Sequence, residues 1–187
     1  MALTKVAHQI IKEHFDGRGK DIAVDATCGN GHDTEFLARQ QFKQVLAFDV
    51  QERAIKATRH RLGVAGLRNV QLIHDGHENL DQYTSDCVDC VVFNLGYLPH
   101  GDKTITTLSK TSVQSLQKAT ELLADDGLIT VLCYPGHGQG VIETGAIQNC
   151  LTALDSQPDQ AWCLDTHLSE SPSDISPILY TLTKSVS

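Results

Sequence analysis

Apolar side chains follow one another along this chain in two rhythms that take turns. Leu3, Val6, Ala7, Ile10, Ile11 and His14 recur every three to four residues and predict an amphipathic helix over 3–15. Ile22-Ala23-Val24-Asp25 is a short apolar run of strand type, and the helical rhythm returns over 35–42. The alternation then continues with strand 45–49, helix 52–62, strand 70–74 and strand 87–94. A helix over 111–123 is predicted to stop at Gly127, read as a C-terminal glycine, before strand 128–134 and helix 142–154. Two further strands, 162–167 and 178–183, are joined by a loop over 169–177.

Strands that alternate with helices predict a mostly parallel sheet covered on both faces. The 169–177 connection is too short for a parallel crossover, so the last two strands are expected as an antiparallel pair. The fold class is therefore α/β: a Rossmann-like, seven-stranded, mostly parallel sheet with helices on both faces and an antiparallel C-terminal edge. At 187 residues, with no repeat or linker, it reads as a single domain over 1–187.

Composition narrows the classes. Hydrophobic residues make up 41% and charged residues 20%, as in ordinary globular chains. No apolar run approaches the ~20 residues that cross a bilayer, and the start of the chain lacks an apolar signal segment. A cytoplasmic chain with no membrane partner is expected. The net charge of −8 counts against a broad nucleic-acid surface, although Arg53, Lys56, Arg59, Arg61 and Arg68 form a local basic stretch, as do Lys103, Lys110 and Lys118. Six cysteines, at 28, 87, 90, 133, 150 and 163, show no disulfide framework. Cys87-x-x-Cys90 lacks a second ligand pair and sits in an apolar run, so the reading is structural thiols in a buried strand and no metal.

The candidate chemistry lies where strands end. Asp25-Ala26-Thr27-Cys28-Gly29-Asn30-Gly31-His32-Asp33-Thr34 follows the first strand and opens a helix. Glycines there let the chain turn and let a ligand approach main-chain N–H groups. Asp25, Thr27, Cys28, Gly29, Asn30, Gly31 and Asp33 are the candidate cofactor residues of this loop; Thr34 stands where a dinucleotide fingerprint has its third glycine. Asp49, twenty residues after Gly29, ends the second strand, where a carboxylate accepts ribose hydroxyls or, alternatively, caps a helix. Gln51 joins it. Asp75-Gly76-His77-Glu78 ends the third strand, where Asp75, His77 and Glu78 would meet a base or simply make a turn.

The fourth strand runs into Asn94-Leu95-Gly96-Tyr97-Leu98-Pro99-His100-Gly101-Asp102-Lys103. Asn94 offers an acceptor to an amine and also joins the cofactor set. In position and character the segment resembles the Asn-Pro-Pro-Tyr loop of amino methyltransferases, matching its Asn and its aromatic but not its two prolines. Together with Asp25–Thr34, Phe48-Asp49-Val50-Gln51 and Tyr134-Pro135-Gly136-His137-x-x-Gly140, it makes residues 1–155 resemble the small bacterial family labelled rRNA methylases. That family includes the tRNA 5-(aminomethyl)-2-thiouridine methyltransferases. Cys28 departs from the Met usual there, and 170–184 lacks the family's Asn-Gln and Pro-Pro pattern.

The resemblance implies a class I methyltransferase that uses S-adenosyl-L-methionine to methylate the aminomethyl group of a modified wobble uridine in tRNA, as a homodimer. Asn94, Tyr97, Asp102 and His137 are the candidate catalytic residues. His137 is the natural proton acceptor near pH 7, or a histidine of the turn. A methyltransferase acting on a small molecule or protein stays open, favoured by the acidic charge. Thr34 disfavours a nicotinamide oxidoreductase, and the intact 94–103 segment disfavours a non-catalytic nucleotide binder.

Overall fold

The computed structural model describes residues 2–96, 107–136, 138–156, 162–173 and 175–184. The seven expected strands form one sheet: β1 (Ile22–Asp25), β2 (Gln44–Phe48), β3 (Val70–Ile73), β4 (Val88–Asn94), β5 (Leu123–Cys133), β6 (Trp162–Leu168) and β7 (Ile178–Lys184). Their order is β3-β2-β1-β4-β5-β7-β6. The first five run parallel, and β7 enters antiparallel between β5 and β6. The sheet order reverses after β1, where β4 pairs on the side away from β2. Open α/β sheets place ligands beyond the strand ends at such a switch point.

The central strands are apolar on both faces because each face carries a core. Val24, Leu46, Phe48, Val91, Phe93, Ile129 and Val131 pack with Leu116 and Ala119 of α4 (Ser109–Leu122) and with Ile147 and Leu151 of α5 (Gly138–Asp155). Their neighbours in sequence, Ala23, Val45, Cys90, Val92 and Leu128, point the other way. There they meet Ile11 of α1 (Leu3–His14), Phe15, and Leu37 and Ala38 of α2 (His32–Arg39). Ala47 on that side packs with Ile55 of α3 (Glu52–Ala65). Truncating a fully buried ring such as Phe48 costs ~3–5 kcal/mol.

Three expectations need correction. The second helix starts at His32, three residues before the predicted 35, because Gly31 at φ 79 already turns the chain into it. It stops at Arg39, and Gln41 at φ 68 sends Phe42 back into the core beside Phe15. Gly127 caps no helix. α4 passes straight into β5, where Leu123 pairs with Val88 and Leu128 with Cys90, so 124–127 bulge out. Asp126 takes the left-handed turn at φ 59. Gly127 is needed for close approach instead: a Cβ would stand 2.6 Å from Leu123 Cγ and 2.8 Å from the Ala124 carbonyl oxygen.

Cys87 falls just before β4 and is exposed, so only Cys90 of that pair is a buried strand thiol; burial pushes its ionisation well up. Among the described residues no helix is long and apolar enough to cross a membrane.

Candidate functional site

A cavity of about 740 Å³ opens at the carboxyl ends of β1, β2 and β4. Its floor is the turn between β1 and α2. Cys28 N–H donates to the Phe48 carbonyl at 2.8 Å, and Gly31 N–H donates back to Cys28 at 2.7 Å. Gly29 at φ 51 and Gly31 at φ 79 supply the left-handed bends that other residues resist. At Gly31 a Cβ would stand 2.8 Å from Thr58 Oγ1 and 3.0 Å from Thr58 Cα. The close approach is used: Thr58 Oγ1 donates to the Gly29 carbonyl at 3.0 Å, and Arg61 Nε donates to the Asn30 carbonyl at 2.7 Å. α3 therefore grips the turn from outside.

Asp25 lies beneath this turn and does not line the cavity. Its carboxylate accepts from Thr27 N–H at 3.1 Å and from Thr34 Oγ1 at 2.5 Å. Thr34 thus has a task in place of a glycine. Burial, together with the nearby Asp33 charge, pushes the Asp25 carboxyl up to about 7. Gly31 likewise shapes the turn without facing the cavity. Of the candidates in the turn, Thr27, Cys28, Gly29, Asn30 and Asp33 do line it. Burial raises the Cys28 thiol far above neutrality, so it offers bulk there and no thiolate.

Asp33 sits in the first turn of α2, where the helix N-terminus favours negative charge. It accepts from His8 Nε2 at 2.6 Å and from Asn94 Nδ2 at 3.0 Å. Burial opposes its charge, but these two donors outweigh it and hold the carboxyl below the usual range. The His8 ring is itself fixed, stacked flat on Phe36 at 3.8 Å. Asn94 is gripped twice, since its N–H also donates to Thr27 Oγ1 at 2.8 Å. With its Nδ2 on Asp33, the Asn94 amide has Oδ1 as its acceptor end.

Asp49 and Gln51 line the cavity beyond β2. Asp49 accepts from Gly29 N–H at 3.0 Å and from Gln51 N–H at 2.8 Å, so it braces the turn and leads into α3. Burial raises its carboxyl and the two N–H donors pull it back. Beyond β3, Asp75, His77 and Glu78 all reach the cavity along a 3-10 turn over His77–Gln82. Asp75 accepts from Gly76 N–H, Asn79 Nδ2 and Tyr83 Oη. Some burial works against its charge; these donors outweigh it and lower its carboxyl. His77 Nδ1 donates to the Ala26 carbonyl at 3.1 Å, while its buried Nε2 has no partner among the described residues. Burial lowers its basicity, so Nε2 stands as a neutral acceptor.

The far wall is formed by Leu95, Gly96, Thr107, Leu108 and Thr111, with Tyr134, Gly136 and Ile175 at the rim. Asn94 joins the two walls. Tyr97, Asp102 and His137 lie outside the described residues. Sequence reasoning missed His8, Thr107, Thr111 and Ile175. Nothing in their local pattern marks them, since they reach the site from three separate parts of the chain. The described lining carries Asp33, Asp49, Asp75 and Glu78 but no Lys or Arg.

Comparison with known proteins matches this architecture. A family model described as "Putative rRNA methylase" matches residues 45–179. A chloroplastic tRNA (mnm(5)s(2)U34)-methyltransferase of Arabidopsis thaliana is 35% identical over 158 residues, 78% of this chain. The chain spans 57% of that relative's length. A solved rRNA-methylase structure from Clostridium thermocellum superposes with a TM-score of 0.89 at 38% identity, covering 97% of this chain and 96% of its own. A Streptococcus mutans methyltransferase structure, in complex with SAH, gives 0.83 at 30% identity, covering 97% of each chain.

Proposed function

The chain belongs to the family described as "Putative rRNA methylase", and we propose that it is an S-adenosyl-L-methionine-dependent methyltransferase acting on RNA. The finer reading is N-methylation of the aminomethyl group of 5-aminomethyl-2-thiouridine at the tRNA wobble position. The observation that carries the cofactor is the charge of the cavity: four lining carboxylates and, among the described residues, no lining Lys or Arg. That field suits a cationic sulfonium and disfavours the pyrophosphate of a nicotinamide dinucleotide. The SAH complex of the Streptococcus mutans relative supports the same ligand.

When bound, S-adenosyl-L-methionine supplies an electrophilic methyl group. Asp49 is assigned the ribose hydroxyls, and the orphaned His77 Nε2 accepts from a base or hydroxyl donor. Asn94 Oδ1 is assigned the acceptor amine, because the Asn94–Asp33–His8 chain fixes its amide in one orientation. Holding the amine in place can supply up to ~7–11 kcal/mol of the barrier without a strong base. The reading gives proton removal to His137, with Tyr97 and Asp102 as the further candidate catalytic residues. The tRNA substrate is supported by the Arabidopsis thaliana relative. A cytoplasmic homodimer belongs to the same reading and is checked by sedimentation velocity on the purified protein.

The test is methyl transfer to tRNA carrying an aminomethyl wobble uridine, with unmodified tRNA, free nucleoside and cell protein as other acceptors. Transfer to the modified tRNA alone is expected. Transfer only to a protein or metabolite would leave the cofactor assignment standing and remove the RNA one.

A further inference from the structure

Asp25, Asp33 and Glu143 are the buried carboxylates among the described residues. The first two belong to the turn after β1. Glu143 stands near the start of α5, behind the far wall, and is 3% exposed. Among the described residues it makes no ion pair. A buried carboxylate is costly unless donors converge on it.

Two hydroxyls do so. Ser112 Oγ donates to Oε1 at 2.6 Å, and Thr107 Oγ1 donates to Oε2 at 2.7 Å. A carboxylate can only accept, so it takes the single hydroxyl proton of Thr107 and turns that oxygen's lone pairs outward. Gly96 N–H donates to those lone pairs at 2.9 Å, and Thr107 N–H donates to the Gly96 carbonyl at 3.1 Å. The chain leaving β4 and the chain entering α4 are thereby clasped to one carboxylate. Gly96, Thr107 and Thr111 are wall residues of the cavity, and Gly96 lies two residues beyond Asn94.

We propose that Glu143 is a positioning residue for the methyl acceptor: it fixes the polarity of Thr107, and through it the place of Gly96 and of the wall beside Asn94. The proposal rests on the function proposed above. Glu143→Gln keeps the shape but offers an N–H₂ to one hydroxyl, which reverses the hydrogen-bond direction. Thr107→Val removes the hydroxyl, and Thr107→Ser restores it.

Three readouts on the full chain separate the outcomes: turnover on the modified tRNA, SAH affinity by calorimetry, and amide hydrogen exchange at Gly96 and Asn94 by NMR. In Glu143→Gln and Thr107→Val, turnover is expected to fall at least tenfold and Gly96 exchange to rise at least tenfold. SAH affinity should stay within threefold, and Asn94, whose N–H is held by Thr27, should exchange as before. Thr107→Ser should recover most of the loss. Unchanged Gly96 exchange in both Glu143→Gln and Thr107→Val overturns the clasp. Faster exchange at both amides, with a lowered Tm, shows a merely structural role and overturns the positioning claim, as does faster Gly96 exchange with normal turnover. A wild-type protein that methylates no RNA sinks the functional reading and the acceptor role together, and Gly96 exchange then still reports on the clasp alone.

Discussion

The two walls of the cavity are built by different means. On the wall from β1 and β2, Asp49 is braced by the N–H groups of Gln51 and Gly29, and Asp25 beneath the wall by that of Thr27; Asp33 is the exception, held by His8 and Asn94. On the wall from β4 and α4, the braces come from afar. Glu143 meets Thr107 across 36 positions, and Asn94 meets Asp33 across 61. A short-range brace costs little chain entropy and survives changes elsewhere. A long-range one ties the geometry of one wall to the packing of the whole fold. Under the proposed function the first wall is the receptor for the cofactor. The second, the proposed acceptor side, can be altered by substitutions at a distance.

Four variants test that division, beginning with the largest effect. Asn94→Ala should lower turnover by about 10²-fold or more while cofactor affinity changes only a few-fold, because orientation is lost and the remaining cofactor residues are kept. Equal losses in both would merge the two walls into one. Asp49→Ala should weaken S-adenosyl-L-methionine binding at least tenfold in calorimetry, in line with the ~1.5–3 kcal/mol of a charge-assisted hydrogen bond. Unchanged binding would return Asp49 to bracing the turn.

Gly31→Ala asks how stiff the first wall is. A residue forced to φ 79 against Thr58 should cost ~1–3 kcal/mol of stability. In a chain of this size that lowers Tm by roughly 2–4 °C per kcal/mol, readable by calorimetry. An unchanged Tm would mean the turn yields easily. Asp25→Asn is read in a change of slope with pH. The folded chain keeps a proton on Asp25 up to about 7, against 3.8 for the free side chain. Stability from this group is therefore present below pH 3.8 and is lost as pH rises through about 7. Asp33, whose carboxyl is lowered, acts below that window. The Tm of Asp25→Asn relative to wild type should rise steadily from pH 4 to 7; a constant difference would show Asp25 ionised throughout.

The same division explains what the sequence disclosed. The strand and helix order, and the antiparallel entry of β7, followed from period and from loop length. Asp49 was legible because one strand end and two glycines mark it. Thr34 looked like a missing glycine, yet its hydroxyl serves Asp25. Gly127 looked like a helix stop, yet it fits against Leu123 inside β5, a contact that no local pattern signals. His8 carries no local signal; only packing of α1 on the sheet brings its ring onto Phe36 and Asp33. Glu143 drew no attention because helical glutamates are usually solvated, and its burial depends on where α5 lands.

The position of β7 has a consequence for how the chain matures. Residues 178–184 leave the ribosome after every strand they pair with, yet they belong between β5 and β6. Until they arrive, Leu128–Cys133 presents an open row of backbone donors and acceptors, and β6 has no neighbour. An unpaired apolar strand edge recruits other chains. A chain that has folded β1 to β5 without β7 would therefore still have an unfinished sheet. Of the described strands, the last in chain order is the one that closes the sheet.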